Sequence, residues 1–296
     1  MLEFFDANLV SILNGLALGL LLFVLAVGLS LVFGMMDVLN LAHGALYLVG
    51  AYVGWQFMGL VGGGIGFALA LAVAAVIGLA GGRMLAIATR SLSHRGHLDQ
   101  ALLTLGIALI VADLLAGVYG HDPHSVPPPD FLTGSVAVAG HAYPVYRLAV
   151  IGVGGVIALG LWLIVERTRL GALVRATVVD RQMAAALGVN TRRVLYGVFS
   201  SGAALATVAG VLGAPILGAS PGLDETVLIL ALVVVVVGGL GSVLGALIGA
   251  LLIGQVQTLG VALLPTYASF LLFGAMALVL IFRPGGLLGD ASGRLA

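Results

Sequence analysis

Apolar runs, most of about 20 residues, recur along almost the whole chain, separated by short polar or glycine-rich stretches. They fall at about 9–33, 38–60, 64–88, 100–119, 146–165, 194–217, 226–240, 243–264 and 267–282. A helix needs about 20 apolar residues to cross a hydrocarbon core of about 30 Å. Membrane barrels use short alternating segments instead, and the chain carries none of that pattern. It predicts an all-α, polytopic transmembrane helical bundle of about 8–10 spans, some broken or short, forming a single domain over 1–296. In 226–264, "VGGLGS" joins two short runs, which read either as two spans or as a hairpin of broken helices.

The polar connections carry the orientation. The stretch 83–99 holds Arg83, Arg90 and Arg95 against Asp99. The stretch 166–193 holds Arg167, Arg169, Arg175, Arg181, Arg192 and Arg193 against Glu166 and Asp180. By contrast 120–145 has Asp122 and Asp130 and no arginine. The positive-inside rule puts 83–99 and 166–193 in the cytoplasm and 120–145 outside. The N-terminus is then outside, and "RPGGLLGDASGRLA", with Arg283 and Arg294, returns to the cytoplasm. "MLEFFDANLV" carries Glu3 and Asp6 and no basic residue, and the run after it exceeds a signal-peptide core, so it reads as a retained first span.

Composition agrees. Hydrophobic residues make up 61% and charged residues 8% of the 296, against roughly a quarter charged in a soluble domain. The formal net charge is zero, which gives no electrostatic case for nucleic acid. All 12 basic residues are arginine, and there is no cysteine, which removes disulfides and thiolate chemistry.

The outer loop is proline-rich, and its end, "VAVAGHAYPVY", alternates as a short surface strand or hairpin does. His121, His124 and His141 lie here at no metal-binding spacing and read as exposed loop histidines. The 45 glycines often sit at helix-packing spacing: Gly15/Gly19, Gly50/Gly54, Gly78/Gly82 and Gly241/Gly245/Gly249. Small residues every fourth position let membrane helices approach, within the chain for most of these pairs and at a subunit interface for others.

The polar exception is "VLNLAHGALYLVGAY", 38–52. On a helix, Asp37, Asn40, His43 and Tyr47 form one polar stripe. Polar groups facing lipid cost several kcal/mol each without a partner, so the stripe faces protein or a water-filled path. Gly34, Gly44 and Gly50 allow a break or close approach there. Two readings stay open: packing between helices or the lining of a substrate pathway.

On the cytoplasmic side, Thr177-x-x-Asp180 resembles a capping box. Val179, Met183 and Leu187 recur at i, i+4, i+8, Gly188 takes the terminating position, and Asn190 or Thr191 caps the next span. The spacing predicts a short amphipathic helix over 177–187, rimmed by Arg175, Arg181 and Asp180. It needs something to pack against, either lipid headgroups or a soluble partner.

"NGLALGLLLFVLAVGLSLVFGMMDVLNLAHGALYLVGAY" (14–52) and "RATVVDRQMAAALGVNTRRVLYGVFSSGAALATVAGVLGAP" (175–215) resemble the permease subunits of branched-chain amino acid ABC importers. The likeness is to the shorter permease of the pair, with its "N-x-A-H-G" motif, and "GGLGSVLGALIGALLIG" (238–254) and "RPGGLLG" (283–289) extend it. Leu22 and Phe23 stand where many relatives carry Tyr, and Ala45 where some carry Glu. The resemblance implies a permease domain in a bacterial inner membrane, moving branched-chain or related small amino acids. It implies two cytoplasmic ATPases, a second related permease or a second copy of this chain, a periplasmic solute-binding protein and membrane lipid around it. The segment 166–193 becomes the place where an ATPase docks, through Arg175, Ala176, Thr177, Asp180, Met183, Ala184, Leu187 and Gly188. The chain has no G-x-x-x-x-G-K-[ST] stretch, so it is expected to bind no cofactor and to catalyse nothing, ATP and Mg being used by the partner ATPases. The competing class is an ion-coupled secondary transporter, for which His43 is the one candidate coupling residue. An amide or urea is the competing solute. An intramembrane enzyme would need a nucleophile–base pair or metal cluster, and no such grouping stands out.

Overall fold

The computed structural model describes residues 2–36, 40–92 and 96–289. Nearly all of it is helix: α1 Leu2–Met36, α2 Ala42–Leu60, α3 Gly63–Ser91, α4 His97–Tyr119, α5 Val145–Arg167, α6 Arg169–Val179, α7 Arg181–Ala186, α8 Thr191–Leu217, α9 Leu223–Gly238, α10 Val243–Leu263 and α11 Ala268–Phe282. Each apolar run of the sequence becomes one helix, and "VGGLGS" separates two of them. Among the described residues, seven helices are long and apolar enough to cross a membrane. The other two apolar helices are α2, which carries His43, Tyr47, Tyr52 and Gln56, and α9, which has 16 residues. The expected outer hairpin forms as β1 Ser135–Val138 against β2 His141–Pro144, turned by Ala139 and Gly140 with φ of 47° and 87°.

Contacts between helices fix their directions. Gly15 lies against Gln255 and Thr258, and Gly19 against Ala250 and Leu251, so α1 and α10 run antiparallel. Gly78 meets Ala204 and Thr207 while Gly82 meets Phe199 and Ser200, so α3 runs antiparallel to α8. Gly50 meets Thr207 and Gly54 meets Val211, so α2 runs parallel to α8. The glycine pairs thus serve packing within the chain. Gly28 and Gly202 let α1 and α8 cross with backbones touching: a Cβ on Gly202 would stand 3.0 Å from the Cα of Gly28.

Two sets of three helices are arranged alike. α1 lies on α10 as α8 lies on α3, and each set continues into a shorter helix, α2 or α9. Because α1 and α8 are antiparallel, the second set is inverted relative to the first. One end of the bundle gathers α6, α7, residues 239–242 and the "RPGGLLG" segment. There Leu287 and Leu288 N–H groups donate to the last carbonyls of α9, at Val237 and Gly238, which satisfies helix-end acceptors. The other end gathers residues 120–144 and 218–222, joined by paired backbone hydrogen bonds between His124 and Ala219. The core lies where α1, α8, α9 and α10 meet, around Phe23, Val27, Ala206, Val234 and Ile253.

Candidate functional site

Asp37 lies outside the described residues. The expected helical stripe through 37–47 is corrected in part: Asn40 precedes α2, and Leu41 donates its N–H to Thr104 Oγ1 of α4 at 3.1 Å. His43 and Tyr47 then sit on the first turns of α2. Gly44 brings those turns against the backbone of Asp224 at the head of α9.

All three polar side chains are buried, at 3% exposure for Asn40 and 1% for His43 and Tyr47. His43 Nε2–H donates to the Leu25 carbonyl oxygen of α1 at 2.8 Å. In the neutral ring this fixes the tautomer and leaves Nδ1 as an acceptor. Among the described residues, Nδ1 has no hydrogen-bond partner, nor do Asn40 Oδ1, Tyr47 OH and Tyr52 OH, while Tyr47 OH presses against Gly213. A buried polar atom without a partner costs about 1–3 kcal/mol. The four atoms follow one another along α2 and its entry.

At the far end of α2 stands a cluster the sequence did not reveal. Tyr52 stacks on Tyr119 at 4.9 Å between centroids, and Trp55 stacks on His124 at 4.1 Å. His124, expected as an exposed loop histidine, is half-buried, its Nε2 3.1 Å from the Tyr119 carbonyl. The burial follows from the pairing of its backbone with Ala219. Asp224, buried to 8% exposure, lies on the first turn of α9 beside Gly44, where a helix N-terminus suits a carboxylate. Tyr52 and Trp55, three apart on α2, with Tyr119 at the end of α4, have the spacing of an aromatic girdle, and that signal could have marked the cluster.

The segment between α5 and α8 is two helices, not one over 177–187. Asp180 breaks it: its backbone is extended (φ −151°), and its carboxylate accepts the N–H groups of Gln182 and Met183, both at 2.9 Å. An aspartate that closes its own local ring competes with helix continuation. Thr177 is no cap; it lies inside α6, buried, donating to the Leu173 carbonyl at 2.7 Å. Arg175 turns back to α5, bonding the Val165 carbonyl and pairing with Glu166 at 3.2 Å, so it does not rim an outward face. Ala184 is 3% exposed and belongs to the chain's own packing, while Ala176 is exposed. Val179, Met183 and Leu187 project outward, at 81%, 57% and 78% exposure, as does Leu170 at 69%. Gly188, with φ of +87°, ends the unit, and Asn190 caps α8 by accepting the Arg193 N–H.

Seven apolar helices of spanning length among the described residues define a polytopic helical membrane protein. The family described as branched-chain amino acid transport system, permease component, matches residues 11–281, and the chain belongs to it. It is 30% identical to the high-affinity branched-chain amino acid transport system permease protein BraD of Pseudomonas aeruginosa, covering 94% of both chains. It is 32% identical to the LivH permease protein of Escherichia coli, over 93% of this chain and 94% of the relative. A LivH-like probable permease of Methanocaldococcus jannaschii is 28% identical over 91% of this chain and 89% of its own. Among solved structures, PsaBC from Streptococcus pneumoniae in complex with Fab covers 95% of both chains at 13% identity and a TM-score of 0.47, too remote to carry an argument.

Proposed function

We propose that this chain is the non-catalytic permease subunit of an ATP-driven importer of branched-chain or related small amino acids. The observation that carries the reading is the end-to-end match to such permeases. The machine it implies has two cytoplasmic ATPases that use ATP and Mg, a periplasmic solute-binding protein, and a second permease, related or identical. Its membrane is the bacterial inner membrane, with the N-terminus outside and the C-terminus in the cytoplasm. In support, Arg90, Arg167, Arg169, Arg181, Arg192, Arg193 and Arg283 belong to the same end as α6 and α7, as the positive-inside rule requires of a cytoplasmic face.

Within it, the seam of Asn40, His43 and Tyr47, with Asp37 just upstream, belongs to the substrate pathway in a closed state. In support, the seam places buried polar side chains at spanning depth where α1, α2 and α9 meet, through Leu25 and Asp224. Polar residues at such depth mark solute paths. The α6–α7 unit is the ATPase-coupling element. Arg175, Thr177, Asp180, Ala184 and Gly188 hold its shape, and Val179, Met183 and Leu187, beside Ala176, present its outer face. The test is reconstitution of the chain with its ATPases, second permease and binding protein in liposomes. Leucine uptake should require ATP and the binding protein. Uptake by the chain alone, driven by an ion gradient, would overturn the reading.

A further inference from the structure

Away from the seam and the coupling unit, three arginines converge on one tyrosine. Arg83 and Arg90 project from α3, seven residues apart with Ile87 between them, and Arg192 and Tyr196 project from the first turns of α8. Arg90 donates to the Tyr196 hydroxyl oxygen at 3.3 Å and Arg192 Nε donates to the same oxygen at 3.2 Å. The guanidinium carbons of Arg83 and Arg192 lie 5.9 and 5.5 Å from the ring centroid. All three arginines are exposed. Among the described residues none of them pairs with a carboxylate; the ion pair formed there is Arg175–Glu166. Three like charges held together repel, and each guanidinium has five N–H donors, of which Tyr196 takes one from each of two. The cluster is a built cation with unused donors.

Its depth says what neutralises it. From Gly63 to Arg83 is about 30 Å of helix at 1.5 Å per residue, one hydrocarbon-core thickness. From Leu217 back to Tyr196 is about the same. Both helices therefore put these groups at the plane of the lipid phosphates, with Val76 and Leu79 exposed on α3 just below. A soluble protein would have to enter the headgroup layer to reach Arg83.

We infer that Arg83, Arg90, Arg192 and Tyr196 form a binding site for one anionic phospholipid, its phosphate among the guanidiniums and its acyl chains along Val76 and Leu79. Guanidinium forks match phosphate oxygens, and anionic lipids are attracted to such basic clusters.

The test uses the purified chain in mixed micelles with spin-labelled phosphatidylglycerol or phosphatidylcholine, reading the motionally restricted fraction. Wild type should prefer phosphatidylglycerol by about fivefold or more. Arg83→Gln/Arg90→Gln/Arg192→Gln should lose that preference. Arg167→Gln/Arg169→Gln/Arg283→Gln, which removes equal charge elsewhere, should keep it. Millimolar inorganic phosphate should leave the restricted fraction unchanged; displacement by it would assign the site to a free anion and overturn the lipid. An unchanged preference in the first triple variant would overturn the proposal too, and so would an equal loss in the second. If the first variant keeps the lipid preference but loses co-purifying ATPase, the cluster is a protein contact instead.

Discussion

His43 Nε2 lies 2.8 Å from the carbonyl oxygen of Leu25, so the imidazole of α2 is pinned to the middle of α1 while its other nitrogen faces the seam unpaired. The bond to Leu25 is worth about 1 kcal/mol net, too little for its loss to prevent folding. His43→Leu should therefore assemble normally and lower leucine uptake at least tenfold, because the seam loses its acceptor. His43→Asn should keep part of the activity. Uptake at wild-type level in His43→Leu, with a lowered melting temperature, would assign the residue to packing alone.

Met183 and Ala184 are neighbours that face opposite ways. Met183→Asp adds a charge on the exposed face and should leave insertion and thermal stability unchanged while abolishing co-purification of the ATPases. A buried, unpaired charge in a contact costs several kcal/mol, enough to empty a micromolar complex. Ala184→Arg should instead destabilise the chain itself, since it inserts a long cation into a filled site. Wild-type ATPase recovery with Met183→Asp would remove the docking assignment.

Asp180 holds α7 by two hydrogen bonds, and α7 has six residues. Loss of an N-cap costs about 1 kcal/mol, a large share for so short a helix. Asp180→Ala should speed amide exchange at Gln182–Ala184 and weaken coupling of hydrolysis to uptake, with the global melting temperature unchanged. Unchanged exchange at those amides would mean that tertiary packing, not the cap, holds the helix.

Gly28→Ala should lower the melting temperature by the cost of overpacking, about 1–3 kcal/mol, because its Cβ would meet the Gly202 backbone. Gly106→Ala, with nothing within 4 Å of the added atom, should be neutral or slightly stabilising. Equal melting temperatures for both variants would contradict the close α1–α8 crossing.

The chain has no cysteine, so single cysteines at Ser125 and Thr191 can report sidedness. They should label from opposite faces of the membrane, Ser125 from the outside. Labelling of both from one face would refute the assigned topology.

The helices were legible because a helix that meets lipid on one side and protein on the other is apolar all round, and Gly188, Asn190 and the 135–144 hairpin were legible because local chemistry alone requires them. The non-helical backbone at Asn40 and Leu41 was not. Asn40 and His43 keep helical spacing across it, so periodicity is blind to it, and the Leu41 N–H goes to Thr104, more than 60 residues away. The split at Asp180 hid for a related reason. Aspartate three residues after a threonine imitates a capping pair, and only the observed backbone tells which residue is the cap. The aromatic cluster joins positions 52, 55, 119 and 124; girdle spacing marks the first three, and what brings His124 to them is the non-local pairing of its backbone with Ala219. Glycine spacing foretold close helices but not partners, since every such pair looks alike until α1 is seen on α10 and α3 on α8.

The inversion of α8–α10 relative to α1–α3 brings the first turn of α2 against the first turn of α9, Gly44 lying on the backbone of Asp224. Two helix N-termini, each with a partial positive charge, thus meet inside the bundle beside the buried Asn40, His43 and Asp224.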